Sequence, residues 1–475
     1  MTTSRSARLF AAALTLLVLA CAAGRAPVAA PAAVAQADEA FLDDLGERTF
    51  RYFWERANPD NGLIPDRWPT PSFSSIAAVG FALAGYPIGV ERGWVSREAA
   101  AERTLTTLRF FQQAPQGPEP AGTTGHWGFY YHFLDMATGR RFEQVELSTI
   151  DTTLLLAGTF TAAAYFDRQS PAEREVRELA EALYRRVEWD RLLARPPLVA
   201  MGWTPEQGLH GWDWRGYNEA LLLYALAIGS PTHPVDPAAW AEYTRTYHWA
   251  SFQGLEHVNF APLFGHHYSH AFIDTRGVAD AFLRQRGIDY FENSRRAGLS
   301  QQRYAIANPG GFAGYGAELW GLTACDGPLD AELTVGGRKV RFMTYAARGA
   351  AAHEVRDDGT LSPSAAAGSL PFTPSQSLLA LKTMKERFGE HLWGRYGFLD
   401  ALNLTLTEPV AVRHGRVVPG VGWFDTDYLG IDQGVILLMV ENHRSGLIWR
   451  LLRGNPHLKR GLEKAGFSGG WLGER

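Results

Sequence analysis

Glu219 closes a run, Met201 to Glu219, in which Trp203, Trp212, Trp214 and Tyr217 alternate with glycines and with Asp213 before the chain enters the apolar segment Ala220 to Ile228. Aromatic faces stack on sugar rings, carboxyl groups move protons, and glycine lets backbone approach a ligand, so the segment has the makings of a sugar-handling site at a helix mouth. The alternative is that its tryptophans are core or interface aromatics. A second acid-bearing run, Phe142 to Gly158, places Glu143, Glu146 and Asp151 directly before another strongly apolar stretch. Ser148 or Asp151 can serve there simply as a helix N-cap, which leaves Glu146 as the acid best suited to chemistry. Cleavage of a glycosidic bond needs two carboxyl groups, one to protonate the leaving oxygen and one to act as base or nucleophile, and Glu146 and Glu219 are the candidate pair. At a helix start, Glu219 feels opposing influences: the helix dipole favours its charged form, whereas apolar burial favours the neutral one.

Three further runs contribute candidates. Gly125 to Asp135 alternates aromatics with histidines, so Trp127 and Tyr130 either form a stacking wall or fill an aromatic turn. Phe264 to Asp274 holds His266 and His270 four residues apart, a spacing that can bind zinc on a helix. The run lacks the glutamate that a metallopeptidase motif carries directly after its first histidine, so no metal is expected, and Tyr268 and His270 are read as ligand contacts. Trp423 to Gly434 again sets acids beside aromatics: Asp425 or Asp427 suits a hydroxyl or a catalytic water, Trp423 a sugar face, and Asp432 a helix cap. Substrate contacts are thus expected from Trp127, Tyr130, Glu143, Trp212, Asp213, Trp214, Tyr268, His270 and Trp423, with Asp425 a third catalytic carboxyl. There is no phosphate-binding loop, dinucleotide fingerprint, serine-hydrolase elbow or paired C-x-x-C, so no cofactor is expected.

The elements that must position these residues are helices. Apolar residues recur with helical period over twelve segments, about 41–57, 74–85, 96–113, 148–166, 171–187, 217–229, 236–249, 277–297, 316–325, 374–388, 397–405 and 432–453. Ser170-Pro171, Thr373-Pro374 and Asp236-Pro237 supply start signals. Strand-like runs are short, chiefly Glu332 to Tyr345 and Ala411 to Val418, and read as hairpins on loops. This pattern predicts an all-α (α/α)6 barrel, six helical hairpins closed into a toroid, and the absence of a self-similar repeat argues against an open solenoid.

Arg5 and Arg8 precede an uncharged apolar run from Leu9 to Ala20, too short to span a bilayer and suited to an export signal over residues 1–20. Leu19-Ala20-Cys21 resembles a lipobox, which would make Cys21 a lipid-bearing N-terminus. Cleavage after Ala37 is the competing expectation. Residues 21–40 read as an Ala/Pro-rich tether and 41–475 as one catalytic domain. Cys325 is the only other cysteine, so no intramolecular disulfide supports that domain. The net charge is −4 with Arg5, Arg8 and Arg25 counted, and loss of those arginines makes the remainder more acidic. Nucleic acid is therefore excluded as a partner, a neutral glycan fits, and a monomer that meets the membrane only through a lipid is expected in the periplasm or at the outer membrane.

Six motifs, Thr49-Phe-Arg-Tyr-Phe-Trp-Glu55, Glu146-Leu-Ser-Thr-Ile-Asp-Thr152, Gly211-Trp-Asp-Trp-Arg-Gly-Tyr-Asn-Glu219, Tyr268-Ser-His-Ala-Phe-Ile-Asp274, Ser369-Leu-Pro-Phe-Thr-Pro374 and Trp423-Phe-Asp-Thr-Asp-Tyr428, together resemble the glycoamylase-like family of bacterial glycoside hydrolases. That group contains the endo-β-1,2-glucanases of glycoside hydrolase family 144. The resemblance implies the (α/α)6 barrel, export, and hydrolysis of a β-linked glucan, with β-1,2-glucan or its oligosaccharides the expected substrate and Glu146 and Glu219 in the positions of the family's two important glutamates. Inversion at the anomeric carbon is likewise implied only by the resemblance. Two readings compete: a polysaccharide lyase using Tyr268 with a neighbouring histidine, and a glycan-binding lipoprotein without activity.

Overall fold

The computed structural model describes residues 31–473, and the expected export signal and Cys21 lie outside that range. By internal contacts the chain divides into Met1–Ala40 and Phe41–Arg475. Fifteen α-helices occur among the described residues: α1 Pro31–Arg56, α2 Ile76–Glu91, α3 Arg97–Gln113, α4 Thr149–Tyr165, α5 Pro171–Arg185, α6 Leu221–Gly229, α7 Ala238–Thr244, α8 Tyr268–Phe272, α9 Ala281–Arg284, α10 Tyr290–Ala307, α11 Pro363–Gly368, α12 Pro374–Phe388, α13 Gly430–Arg444, α14 Leu447–Arg453 and α15 Pro456–Lys464.

Within Phe41–Arg475, α2, α4, α6, α8, α11 and α13 are the helices with the most continuous burial. Every residue of α6, α8 and α11 is buried, as is α2 from Ile76 to Gly89. A helix apolar on all sides must be surrounded by other elements, and these six surround one another. Contacts run from α2 to α4, α6 and α8, then through the 3-10 turn Leu263–His266 to α11, on to α13 and back to α2. Amphipathic helices cover them from outside: α5 buries Val176, Ala180, Leu183 and Tyr184 on one face and packs on α3 and α4, while α15 packs on α6 and α12 on α11. Close approach within the inner set depends on glycine. A Cβ on Gly158 of α4 would sit 1.8 Å from the carbonyl oxygen of Gly80 on α2, so neither residue tolerates a side chain there.

Helix starts follow local chemistry. Ser148 caps α4 by accepting from the Asp151 amide, and Ser170 caps α5 by accepting from the Glu173 amide, with Pro171 at the first helical position. Thr373 instead donates its hydroxyl to the Ser369 carbonyl and makes no capping bond.

Several expectations need correction. Residues 316–325 and 397–405 are not helical. They contain the short strands Ala324–Cys325, Gly397–Phe398 and Leu402–Asn403, because the loops there pair with other loops rather than burying one face on a ring. The segment expected at 277–297 splits into α9 and α10, and that at 432–453 breaks at Gly446, whose positive φ of 67° reverses the chain between α13 and α14. α1 begins at Pro31, so the latter part of the stretch expected as a flexible tether is helical. The hairpin over 332–345 is present as strands Ala331–Val335 and Arg338–Phe342, and Arg416–Val418 pairs with Gly422–Phe424. No helix among the described residues is long and apolar enough to cross a membrane.

Two loop sheets matter for the site. A five-stranded sheet orders Gly125–His126, Phe129–Tyr131, Leu147–Ser148, Gly202–Thr204 and Gly208–Leu209. Its register sets Tyr130 opposite Ser148 and Leu147 opposite Trp203, and its third strand leads into α4. The strand Arg67–Trp68 pairs with Tyr428–Leu429, immediately before α13.

Candidate active site

The five-stranded sheet brings together residues that are far apart in sequence. The amide of His132, one residue beyond the strand Phe129–Tyr131, donates to the Glu146 carbonyl at 2.9 Å, which places the two side chains side by side. Imidazole Nδ1 of His132 lies 2.8 Å from Glu146 Oε1, and Nε2 lies 3.5 Å from Asp151 Oδ2. The Ser148 hydroxyl donates to the same Asp151 oxygen while accepting from the Asp151 amide. Burial would by itself push the imidazole down, but Asp151 and Glu146 overcome it and raise the His132 pKa to about 9. Burial would push Glu146 up, and the bond to His132 overcomes that in turn, holding the carboxyl at about 2. Glu146 and His132 are thus an anion–cation pair at neutral pH, with Asp151 on the far side of the imidazole.

A cavity of about 180 Å³ opens beside this pair, lined among others by His132, Asp151, Glu219, Phe264, Tyr268 and Tyr345. Glu219 reaches it from the residue before the N-cap of α6. Its backbone carbonyl accepts from the Ser269 hydroxyl of α8, which in turn accepts from the Leu222 amide at 2.9 Å. Burial, reinforced by the nearby Asp151 charge, raises the Glu219 pKa to about 7. Of the two influences anticipated for this residue, burial prevails over the helix terminus. The two glutamates consequently stand in opposite protonation states near pH 6, one a carboxylate and the other an acid. That pairing of environments is what acid/base cleavage requires.

Aromatics rim the neighbouring sheet. Trp127 has a positive φ of 53°, rare for a bulky residue, and its ring packs at 5.2 Å against Trp203 and at 3.9 Å on His126. Trp212 is 75% exposed, with its carbonyl accepting from Met201, and so offers a free ring face. A Cβ on Gly202 would meet both the Glu146 side chain and His210, which places His210 beside Glu146.

Other expected contacts occupy different surroundings. Tyr268 lines the cavity. Trp214 is buried, with its indole N–H on Thr149 Oγ1 at 2.9 Å, and Asp213 is buried in ion pairs with Arg195 and Arg215. Tyr130 is buried, its hydroxyl donating to the Phe111 carbonyl at 3.0 Å. His270 is buried, with Thr275 Oγ1 at 3.1 Å from one ring nitrogen and the Tyr217 hydroxyl at 3.3 Å from the other. Trp423 is fully buried, donating to the His414 carbonyl at 2.8 Å. Glu143 is exposed in a left-handed conformation with φ 47°. His266 lies in a 3-10 turn and His270 in α8, so the pair does not share one helix as a zinc motif would.

Asp425 is buried, with Oδ1 accepting from the amides of Thr426 and Asp427, and it does not line the cavity. Asp432 is not a cap: Leu429 is the N-cap residue of α13, and burial pushes the Asp432 carboxyl, which meets Ser364 and Asp400, above the usual carboxylate range. His132 and Tyr345 were not singled out from the sequence. The His132 signal was present in the aromatic/histidine alternation of Gly125 to Asp135, but its partner lies across a sheet that only the fold forms.

The inner set of helices, the loop sheets and the paired glutamates define a class in which the family match can be read directly. Residues 211–456 match the Glycoamylase family model, and the chain belongs to that family. A curated relative from Parabacteroides distasonis, an exo beta-1,2-glucooligosaccharide sophorohydrolase (non-reducing end), is 30% identical over 461 residues, which cover 90% of this chain. The chain spans 58% of the length of that relative. Among solved structures, the endo-beta-1,2-glucanase of Chitinophaga pinensis, in complex with sophorotriose and glucose, superposes with a TM-score of 0.77 at 28% identity, over 92% of this chain and 99% of that one. The beta-1,2-glucanase of Parabacteroides distasonis gives 0.75 at 28% identity, over 90% of this chain and 60% of that one. An endo-beta-1,2-glucanase of Talaromyces funiculosus, at 12% identity and a TM-score of 0.60 over 93% of both chains, shares the fold.

Proposed function

We propose that this chain is a glycoside hydrolase acting on β-1,2-glucan or its oligosaccharides, built on an (α/α)6 barrel whose inner ring is the circuit of α2, α4, α6, α8, α11 and α13. The observation that carries the reading is the cavity in which Glu219, with a pKa near 7, faces His132 and Asp151, with Glu146 just behind the lining and held ionised by its bond to His132. The names of the relatives support the choice of β-1,2-glucan. Glu219 is the general acid: as the bond between the anomeric carbon and the glycosidic oxygen breaks, its proton passes to that oxygen. Water adds to the anomeric carbon from the opposite face, and its proton passes to the carboxylate of that pair, with His132 fixing the orientation of Glu146. Inversion is the proposed stereochemical outcome, and an exposed Trp212 the proposed platform for a distal sugar. Export through the Leu9–Ala20 run, lipid attachment at Cys21 and action as a monomer complete the proposal, supported by the lipobox-like Leu19-Ala20-Cys21.

The test is product analysis by mass spectrometry after incubation with linear β-1,2-glucan, β-1,3-glucan, starch and a polyuronate in parallel. Oligosaccharides are expected from β-1,2-glucan alone. Unsaturated products from the polyuronate would establish a lyase instead, and inertness towards all four would leave a glycan-binding protein.

A further inference from the structure

On segments adjoining the cavity, Asp326, Asp400 and Asp425 each contribute one carboxylate oxygen to a group whose members all lie within 4.8 Å of one another. The three residues are 0%, 3% and 1% exposed. Each of the last two is fixed through one oxygen only. Asp400 Oδ2 accepts from the Asp326 amide at 2.7 Å, and Asp425 Oδ1 accepts from the Thr426 amide at 2.7 Å. Of their second oxygens, Asp425 Oδ2 is buried and accepts no hydrogen bond from the described chain, while Asp400 Oδ1 is buried with no N–H or hydroxyl donor, its carboxyl otherwise meeting only the carboxyl of Asp432.

Positive charge around this group is scarce. Arg67 lies 2.6 Å from Asp326, but it also serves Asp427 and Asp66, each at 3.6 Å. Arg348 is committed to Asp358 at 2.7 Å and to the Cys325 carbonyl at 2.9 Å. His414 stands 3.8 Å from Asp326. Buried carboxylates without compensating charge are costly. Acceptor-only oxygens that find no donor call for either shared protons or a cation.

We propose that Asp326, Asp400 and Asp425 form a binding site for one hard divalent cation of the calcium type. Oxygens bound to one calcium ion at roughly 2.3–2.6 Å stand no more than about 5 Å apart, which the observed grouping satisfies, and a carboxylate-only donor set suits a hard cation over zinc or copper. Bound there, the ion joins the loop before the hairpin Ala331–Phe342 to the Asp400 and Asp425–Asp427 loops. Those two loops already exchange backbone bonds, from Asp400 N to the Asp427 carbonyl and from Asp425 N to the Ala401 carbonyl. The role is structural, and it does not rest on the glucanase reading.

The test uses the full chain, stripped with EDTA and dialysed, and titrated with calcium chloride by calorimetry alongside thermal unfolding. Binding of one equivalent with Kd at or below about 1 mM and a rise in Tm are expected, both lost in Asp400→Asn. Absence of heat and of any Tm change at millimolar calcium overturns the proposal, as does an unchanged calcium response in Asp400→Asn. Should that variant fail to fold, terbium on the unmodified chain decides. Trp423, two residues from Asp425, should sensitise terbium emission that calcium then quenches, and no sensitised emission would again overturn the site.

Discussion

Glu219 and Glu146 are chemically the same residue in unlike surroundings, and at the scale of single residues their difference predicts behaviour. Replacing Glu219 with glutamine keeps the shape and removes the transferable proton, so kcat on β-1,2-glucan should fall by about 10²-fold or more while oligosaccharide binding persists, as separate kinetic and calorimetric measurements would show. Because the pKa of Glu219 is raised to about 7, the acid is available below that pH, and activity should decline as pH rises through it. The same shift has a stability consequence of definite sign. Favourable burial of the neutral acid is fully present below 4.5 and is lost as pH rises through about 7. Glu219→Gln should therefore match the parent protein at pH 4.5 and exceed it in Tm at pH 8.

His132 works in the opposite sense, because its folded pKa of about 9 lies above the ordinary 6.5 while that of Glu146, about 2, lies below 4.5. Their mutual stabilisation is complete only between pH 4.5 and 6.5, fading as pH climbs through about 9 or drops through about 2. His132→Ala should thus show its largest loss of Tm in that window and a smaller one at pH 9.5, and it should lower kcat by freeing Glu146. Trp212, with its exposed ring, is expected to act on binding alone. Trp212→Ala should raise KM by roughly 3- to 10-fold with kcat little changed, the size of a lost stacking contact.

At the scale of elements, the inner helices place the acids, and their spacing depends on what is missing between them. Gly80 and Gly158 let α2 and α4 touch backbone to backbone, with Glu146 and Asp151 flanking the start of α4. Gly158→Ala should force the two helices apart, costing about 3 kcal/mol or more in denaturant unfolding and reducing activity through displacement of Asp151. Elements whose cues are local were the ones visible in the sequence. α3, α5 and α12 fall within a few residues of the expected 96–113, 171–187 and 374–388, because amphipathic spacing and N-terminal Ser-x or Ser/Thr-Pro signals are local properties. α8 and α11, with five and six residues, were not recognised, since short fully buried helices carry no periodic face to detect. The apolar stretches near 316–325 and 397–405 were read as helices and are loops carrying two-residue strands, because their apolar content serves pairing between loops.

At the scale of the whole molecule, a layer of loops and hairpins sits on the helical framework, and buried charge ties it down. Arg348 and Asp358, both side chains fully buried, are joined at 2.7 Å, and Arg348 also donates to the carbonyls of Cys325, Met343 and Thr344. Arg348→Met should cost about 3–5 kcal/mol by leaving Asp358 buried without its counter-charge, seen as a Tm several degrees lower and reduced turnover as the loop bearing Tyr345 loses its anchor.

The sequence by itself determined the helical class and the family motifs in which Glu146 and Glu219 stand, because periodicity, capping chemistry and residue type are properties of short stretches of chain. Only the tertiary structure decided what those residues are. It raised the pKa of Glu219 to about 7 and lowered that of Glu146 to about 2, supplied His132 from across a sheet, and turned Asp213, Trp214 and Trp423 into buried framework residues. Protonation and exposure follow from desolvation and from charges contributed by distant segments, and neither exists until the chain has closed around the site.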